Sequence, residues 1–285
     1  MGLYNIAVKP FVGRADIEKA SKWALRYFEL IEKIPGGRMI SRWIHNNRPV
    51  GLQREVFGLE FYNPVGLGAG LDLYGELYND LNNLGFSFVE IGPMGTEGVR
   101  RAVKRIQEDP QNDILAACIN QDFLTAFTLA YDFCDFFVID ITANPSTDIL
   151  DPLLDARLAE ETYKPIIVKL PKALPPSEIE DILDFSLMNG IDGIEARSIA
   201  QVKHIASYSH GRLPIIANTH IESPEQASEA LLAGASLIEV RNGLVRQGPG
   251  FVNNILRYLL KTFSKNERTH PKPDSAPADG AQANA

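Results

Sequence analysis

Residues 57 to 76 read FGLEFYNPVGLGAGLDLYGE. The stretch describes a turn and a short buried strand, Asn63 to Ala69, then a glycine-rich corner and the start of a helix. Gly66, Gly68 and Gly70 stand on alternate positions. Lacking a Cβ, they let another group approach the backbone closely, or permit positive φ where the strand ends. A strand running through glycines into a helix start is a common seat for a phosphate or a flat cofactor ring. The plainer role is a tight strand-to-helix turn, and spacing alone favours it.

Outward from that corner the chain settles into a rhythm. Short apolar runs occur at Pro64–Ala69, Phe86–Gly92, Ile114–Ile119, Phe136–Thr142, Pro165–Leu170, Asp192–Ala196, Leu213–Ala217 and Ser236–Val240. Helix-like segments follow most of them: Tyr74–Leu84, Phe123–Cys134, Asp151–Tyr163, Ser177–Asn189, Ile199–Tyr208, Ser223–Ala233 and Gly250–Phe263. Thr96 to Gln111 is rich in charge and gives only a weak helix signal. Eight buried strands alternating with helices predict an α/β fold, a parallel (β/α)8 TIM barrel over residues 51–263. A doubly wound open sheet is the alternative, and eight well-spaced strands favour closure.

Ahead of the barrel, residues 1–50 read as a helical hairpin. Ile17, Ala20, Ala24, Tyr27, Phe28, Ile31 and Ile34 recur at helical spacing, and Pro35-Gly36-Gly37 stops the helix. Met39, Ile40, Trp43 and Ile44 form one side of a second helix. The pair either packs on the barrel or opens an apolar mouth to a lipid-soluble partner or bilayer surface; the pattern favours packing. Residues 264–285 carry Pro, Ala and Asp with little apolar bulk and are expected to be disordered.

The formal net charge of −8 argues against nucleic-acid binding. Two cysteines, Cys118 and Cys134, make no disulfide framework and fit a reducing compartment. No long apolar run follows Met1, so no signal peptide is expected, nor is a spanning helix. A soluble, cytoplasmic protein is expected, attached at most to a membrane surface.

In a barrel of this kind chemistry sits at the carboxyl ends of the strands. Lys169 ends the apolar strand IIVK, and a buried lysine needs an anionic or hydrogen-bonding partner. His220 and Arg241 point to the same end and could grip an anion. No cluster has metal-ligand spacing and no Ser/His/Asp grouping follows from order alone, so no metal is expected.

FGLEFYNPVGLGAGLDLYGE followed by LGFSFVEIG (84–92) resembles the opening barrel segment of dihydroorotate dehydrogenases. GASLIEVRNGLVRQGPGFVNNI (234–255) resembles that family's last strand and helix. The hairpin, with LYNIAVKPFV (3–12) before it, is similar to the membrane-associated, quinone-using class 2 branch. The resemblance spans about residues 3 to 262 and marks a divergent member. It implies an FMN enzyme that oxidises dihydroorotate to orotate in pyrimidine synthesis. A serine base takes a proton, a hydride goes to the flavin, and a quinone reoxidises it at the hairpin. The implied location is the cytoplasm, peripheral on the inner face of the cell membrane, with a small-molecule substrate.

Residue by residue, the resemblance assigns cofactor contacts to Ala69, Gly70, Gly92, Asp140, Lys169, His220, Arg241 and Gly243. Asp72, Gly75 and Glu76 also match. The family's lysine after that Asp is Leu73, which can neither pair with a carboxylate nor donate a hydrogen bond. Val-Gly-Thr becomes Ile91-Gly92-Pro93, and the loop that clasps orotate has no counterpart. An ungapped match puts Ala143 at the base, with Ser146 as a substitute only by a shifted match. Thr-Asn-Thr becomes Arg197-Ser198-Ile199, and a Gly-Gly pair that helps hold the FMN phosphate becomes Thr219-His220. Three functions stand open: an active dihydroorotate dehydrogenase, a non-catalytic binding or regulatory barrel, or another flavin- or phosphate-binding enzyme with His220, Arg197 and Arg241 as an anion pocket. The joint loss of base, substrate lysine and orotate loop favours loss of dihydroorotate oxidation.

Overall fold

The computed structural model describes residues 48–111 and 113–269, together with 26 and 30. The helices expected over residues 1–50, their quinone or membrane contact, and the tail from residue 270 lie outside the described residues. Strands β1 (Arg54–Val56) and β2 (Leu59–Phe61) form an antiparallel hairpin turned by Phe57 and Gly58, both at positive φ. The barrel follows: β3 (Val65–Leu67), β4 (Phe88–Met94), β5 (Ile114–Ile119), β6 (Phe136–Asp140), β7 (Ile166–Lys169), β8 (Gly193–Ala196), β9 (Ile215–Ala217) and β10 (Leu237–Val240). Every neighbouring pair is parallel, in chain order, and β10 closes on β3 with Ile238 opposite Val65. All eight apolar runs are strands, and closure rules out the open sheet.

Helices α1 (Tyr78–Asn82), α2 (Thr96–Glu108), α3 (Phe123–Ala130), α4 (Leu150–Leu158), α5 (Pro176–Asn189), α6 (Ile199–Tyr208), α7 (Pro224–Leu232), α8 (Asn242–Gln247) and α9 (Phe251–Thr269) accompany the strands. Several depart from expectation: α8 is not among the expected helices, and α3 and α4 end at Ala130 and Leu158, short of the expected Cys134 and Tyr163. The weak signal over Thr96 to Gln111 is a full amphipathic helix, α2, which buries Gly98, Val99, Ala102 and Ile106 at helical spacing and turns its charges outward. The helix expected from Tyr74 begins only at Tyr78. The Asp72 carboxylate accepts the N–H groups of Glu76 (2.8 Å) and Leu77 (2.9 Å) and holds the preceding residues as a loop. Helix α9 continues to Thr269, past the expected boundary at residue 263, through Lys, Glu and Arg, which propagate a helix well.

Alternation along the strands divides the core in two. Outward residues such as Val65, Leu67, Val89 and Ile139 pack under the helices. Inward residues Phe88, Ala116, Phe136, Val138, Ile167, Ile216 and Leu237 fill the barrel, and Phe61 from the hairpin plugs its amino end. Phe88 lies edge-on to Phe61 (5.5 Å between centroids) and to Phe136 (5.6 Å). Gly66 makes room for it: a Cβ there would stand 2.1 Å from the Phe88 ring.

Truncating that ring empties the barrel floor. Phe88→Ala is expected to lower unfolding free energy by about 3–5 kcal/mol in chemical denaturation. A loss under about 1 kcal/mol would show that the ring does not seal the barrel.

Candidate functional site

Strand alternation continues upward and stacks two tiers of polar side chains at the carboxyl end of the barrel. The lower tier contains Glu90 on β4, Cys118 on β5, Lys169 on β7, Glu195 on β8, Asn218 just after β9 and Glu239 on β10. The three glutamates are fully enclosed, at 0, 0 and 1% exposure, and Lys169 is at 5%. Lys169 Nζ meets Glu195 Oε1 at 2.8 Å and Glu90 Oε1 at 3.4 Å. Asn218 Nδ2 donates to Glu195 Oε1 (2.8 Å) and to Glu239 Oε2 (3.0 Å), tying β8, β9 and β10 together.

Environment sets the charges of this tier. Burial pulls the Lys169 ammonium down, but the Glu195 and Glu90 charges overcome it and hold Lys169 well above the usual lysine value. It is a fixed cation and not an amine nucleophile. Burial raises Glu90 too, yet Lys169 together with hydrogen bonds from Glu239, Cys118 and the Ala69 backbone outweighs it and leaves that carboxylate below the ordinary range. Burial, then the charge of Glu90, pushes Glu195 up to about 7, and burial with Glu90 and Glu195 carries Glu239 well above its ordinary value. The Cys118 thiol is likewise raised by burial and stays protonated.

The upper tier stands two residues further along the chain, just past the ends of β8, β9 and β10. Arg197 follows Glu195, His220 follows Asn218, and Arg241 follows Glu239. Their mutual effects show that they converge. Burial, then Lys172, Arg197 and Arg241, lower His220; burial, then Arg197, lowers Arg241, which remains a cation. Gln201 fixes this wall. Its Oε1 accepts the Arg197 N–H at 2.8 Å, while its Nε2 donates to the carbonyls of Pro171 (2.7 Å) and Lys172 (3.3 Å). Ser198 caps α6 by accepting the Gln201 N–H, and a Ser223–Gln226 capping box starts α7. Arg197 Nε is buried without a hydrogen-bond partner. His220 sits at φ 59, an unfavourable backbone for a non-glycine residue and a mark of functional sites.

The structure places the remaining expected residues as follows. Gly70 (φ 100) donates its N–H to the Gly92 carbonyl at 2.7 Å, and the Ala69 carbonyl accepts from Arg241 Nη1 at 3.2 Å. Asp140 Oδ1 accepts the Thr142 N–H at 2.9 Å and closes its own turn. β6 ends at Asp140, so strand alternation does not extend to Thr142. Ala143 is exposed. Ser146 Oγ donates to Asp148 Oδ2 at 2.9 Å, a local pair at the approach to α4. Gly243 packs inside: a Cβ there would stand 2.1 Å from the Phe251 ring and 2.6 Å from the Ile221 carbonyl. Leu73 is 42% exposed. The sequence reading found Lys169, Arg197, His220 and Arg241 but missed Glu90, Glu195, Glu239, Asn218 and Gln201. The signal for the glutamates was a carboxylate inside a strand too apolar to leave it unpaired.

A flavin on Ala69–Gly70, as the resemblance implies, needs bare backbone and a free Lys169. The space over Gly70 holds the Arg241 guanidinium, with Nη1 2.3 Å from where a Cβ would be, and that over Gly68 holds Glu239 Oε2 at 2.6 Å. Lys169 is clamped between two carboxylates. The residues present do not fit FMN. The cavity of about 350 Å³ bounded by Gly75, Asn79, Arg105 and Asp109 contains none of the residues of the two tiers.

A sequence profile described as dihydroorotate dehydrogenase matches residues 189–263. Quinone-type dihydroorotate dehydrogenases are similar over most of the chain. That of Christiangramia forsetii is 24% identical over 91% of this chain and 99% of its own length. That of Nostoc punctiforme is 26% identical over 93% of this chain and 96% of its own. The first alignment runs over 338 positions, so the relative carries several tens of residues with no counterpart here. The structure of Eimeria tenella DHODH in complex with ferulenol superposes with a TM-score of 0.67 at 17% identity, covering 81% of this chain and 92% of that one, and so shares the fold. No helix among the described residues is long and apolar enough to cross a membrane.

Glu195 makes the fold sensitive to pH. Between the usual carboxylate value of 4.5 and about 7 the folded chain holds a proton that the unfolded chain has released. Stability therefore falls as pH rises through this window, by on the order of 3 kcal/mol for this group, and the Glu195 contribution levels off above it. Glu195→Gln in metal-free buffer should flatten that slope in denaturation curves taken from pH 4.5 to 7.5. An unchanged slope would rule out a buried, protonated Glu195.

Proposed function

We propose that this divergent member of the dihydroorotate dehydrogenase family binds a small anion at its barrel mouth and does not oxidise dihydroorotate. The observation that carries the reading is the position of Arg241, whose guanidinium lies on the Ala69 carbonyl and fills the space above Gly70. The backbone that would carry a flavin is covered by a cation of the chain itself. Arg197, Arg241 and Lys172 then present positive charge around His220, from the ends of β8 and β10 and the loop after β7. A carboxylate or phosphate suits Arg197 and Arg241, whose planar guanidinium groups can engage two oxygens at once.

The serine base that the resemblance implies has no counterpart among the described residues of this mouth. The matched base position is an exposed alanine, Ser146 is paired with Asp148, and Asp140 caps Thr142. Glu90, Glu195 and Glu239 are enclosed beneath the cationic tier and engaged with Lys169 and Asn218. The chain's share in function is to bind and orient an anion, as a binding or regulatory barrel. Fold alone is no warrant for the relatives' activity.

Two measurements test this. The purified protein should be colourless, take up no FMN when titrated, and form no orotate from dihydroorotate with a quinone acceptor. A yellow protein with one flavin per chain, bleached by dihydroorotate, would overturn the reading. Inorganic phosphate should raise the melting temperature, and Arg197→Ala or Arg241→Ala should abolish that rise. Burial, then Lys172, Arg197 and Arg241, hold His220 below its ordinary value of 6.5, so the imidazole gains its charge only in acid and phosphate affinity should strengthen there. His220→Gln should remove that acid enhancement alone. Equal phosphate binding by wild type and both Arg variants would remove the anion site.

A further inference from the structure

The geometry points to a second site beneath the first: Glu90, Glu195 and Glu239 bind one divalent cation of the hard, oxygen-seeking kind, Mg²⁺, Mn²⁺ or Ca²⁺. One oxygen from each carboxylate lies within 4.8 Å of one from each of the others. Two oxygens on one ion, at roughly 2.1–2.4 Å each, stand no more than about 4.8 Å apart, so the triad is within reach of a single ion.

The pattern of partners supports this independently of the clustering. Lys169 takes Oε1 of Glu90 and Glu195, and Asn218 takes Oε1 of Glu195 and Oε2 of Glu239. The other oxygen of each carboxylate, Glu90 Oε2, Glu195 Oε2 and Glu239 Oε1, is buried with no donor group aimed at it, and Glu239 meets Glu90 only by way of a shared proton. Buried polar atoms are rarely left so, and three on facing strands of one barrel call for a common positive partner. Lys169 and Asn218 act as outer supports that orient the carboxylates and leave one free oxygen on each. Three carboxylates against the Lys169 ammonium leave an excess of negative charge, part of which the Arg241 guanidinium above offsets and the rest of which suits a cation. The clustered donors are carboxylate oxygens alone, which selects hard cations over zinc or copper. This site is independent of the anion proposed at the mouth.

Protons would neutralise the same charge, and the experiment separates them from a metal. The full chain, stripped with EDTA and dialysed, is titrated with MnCl₂ while free Mn²⁺ is followed by electron paramagnetic resonance, with Mg²⁺ and Ca²⁺ as competitors. One Mn²⁺ per chain is expected, together with a higher melting temperature. Loss of even an outer-shell partner costs about 10–100-fold in metal affinity, so Glu239→Gln and Glu195→Gln should each weaken binding at least about tenfold. The melting shift of the unaltered protein stands as a measure if a variant fails to fold. No bound Mn²⁺ at millimolar concentration with no melting shift, or undiminished binding in both folded variants, overturns the site and leaves protons as the charge balance.

Discussion

An ammonium enclosed in a β-barrel is tolerable only if an opposite charge reaches it with good geometry, and the 2.8 Å contact of Lys169 with Glu195 meets that condition. The organisation of the mouth follows from it. Glu195 and Glu90 are drawn into the interior to meet the lysine, and Asn218 links Glu195 to Glu239 across β9. Glu239 extends into the gap left by Gly68, and two residues on, Arg241 covers Gly70. The desolvation cost of each ion is several kcal/mol, so the network holds together or fails together. Such a centre fixes side-chain positions well and offers little freedom to an incoming ring.

The likeness to the dihydroorotate dehydrogenases takes in the last strands of the barrel. The profile match over residues 189–263 takes in β8, β9, β10 and the helices behind them. Gly243 shows what is retained there: its missing Cβ admits the Phe251 ring and the Ile221 carbonyl, an arrangement needed to seat α8 against α9 with or without a ligand. Leu73 presents an apolar side chain to solvent, and Ser146 turns to Asp148. A shared scaffold does not by itself carry a shared site, since function resides in grafted groups and not in the fold.

The strands were legible because each is a short apolar run bounded by turn residues, and eight such runs leave few architectures. The charged segment that became α2 was not, since charge density masked the spacing of Val99, Ala102 and Ile106. α1 was read too long because Asp72 captures two N–H groups that a helix would otherwise have used. Lys169 announced its need for a partner by standing at the end of IIVK, but the partners were hidden. Glu90, Glu195 and Glu239 come from distant strands, and only barrel closure brings them together. The spacing of Glu195 to Arg197 and of Glu239 to Arg241 did lie in the sequence: two residues apart on a strand means the same face, one tier higher.

Strand β3 and the two glycines beyond it give the barrel one bare wall. Gly66, Gly68 and Gly70 accept Phe88, Glu239 and Arg241 in turn, so the volume they leave is filled from either side by spokes rooted on the flanking β4 and at the end of β10. Space held by spokes differs from space held by backbone. A designer wanting a chamber in this barrel has no strand to move and no glycine to introduce. Shortening residues 239 and 241, with the charge balance of the lower tier restored, would open a slot along the wall while the Phe88 floor stayed closed. The barrel keeps a latent chamber whose size is written in two side chains.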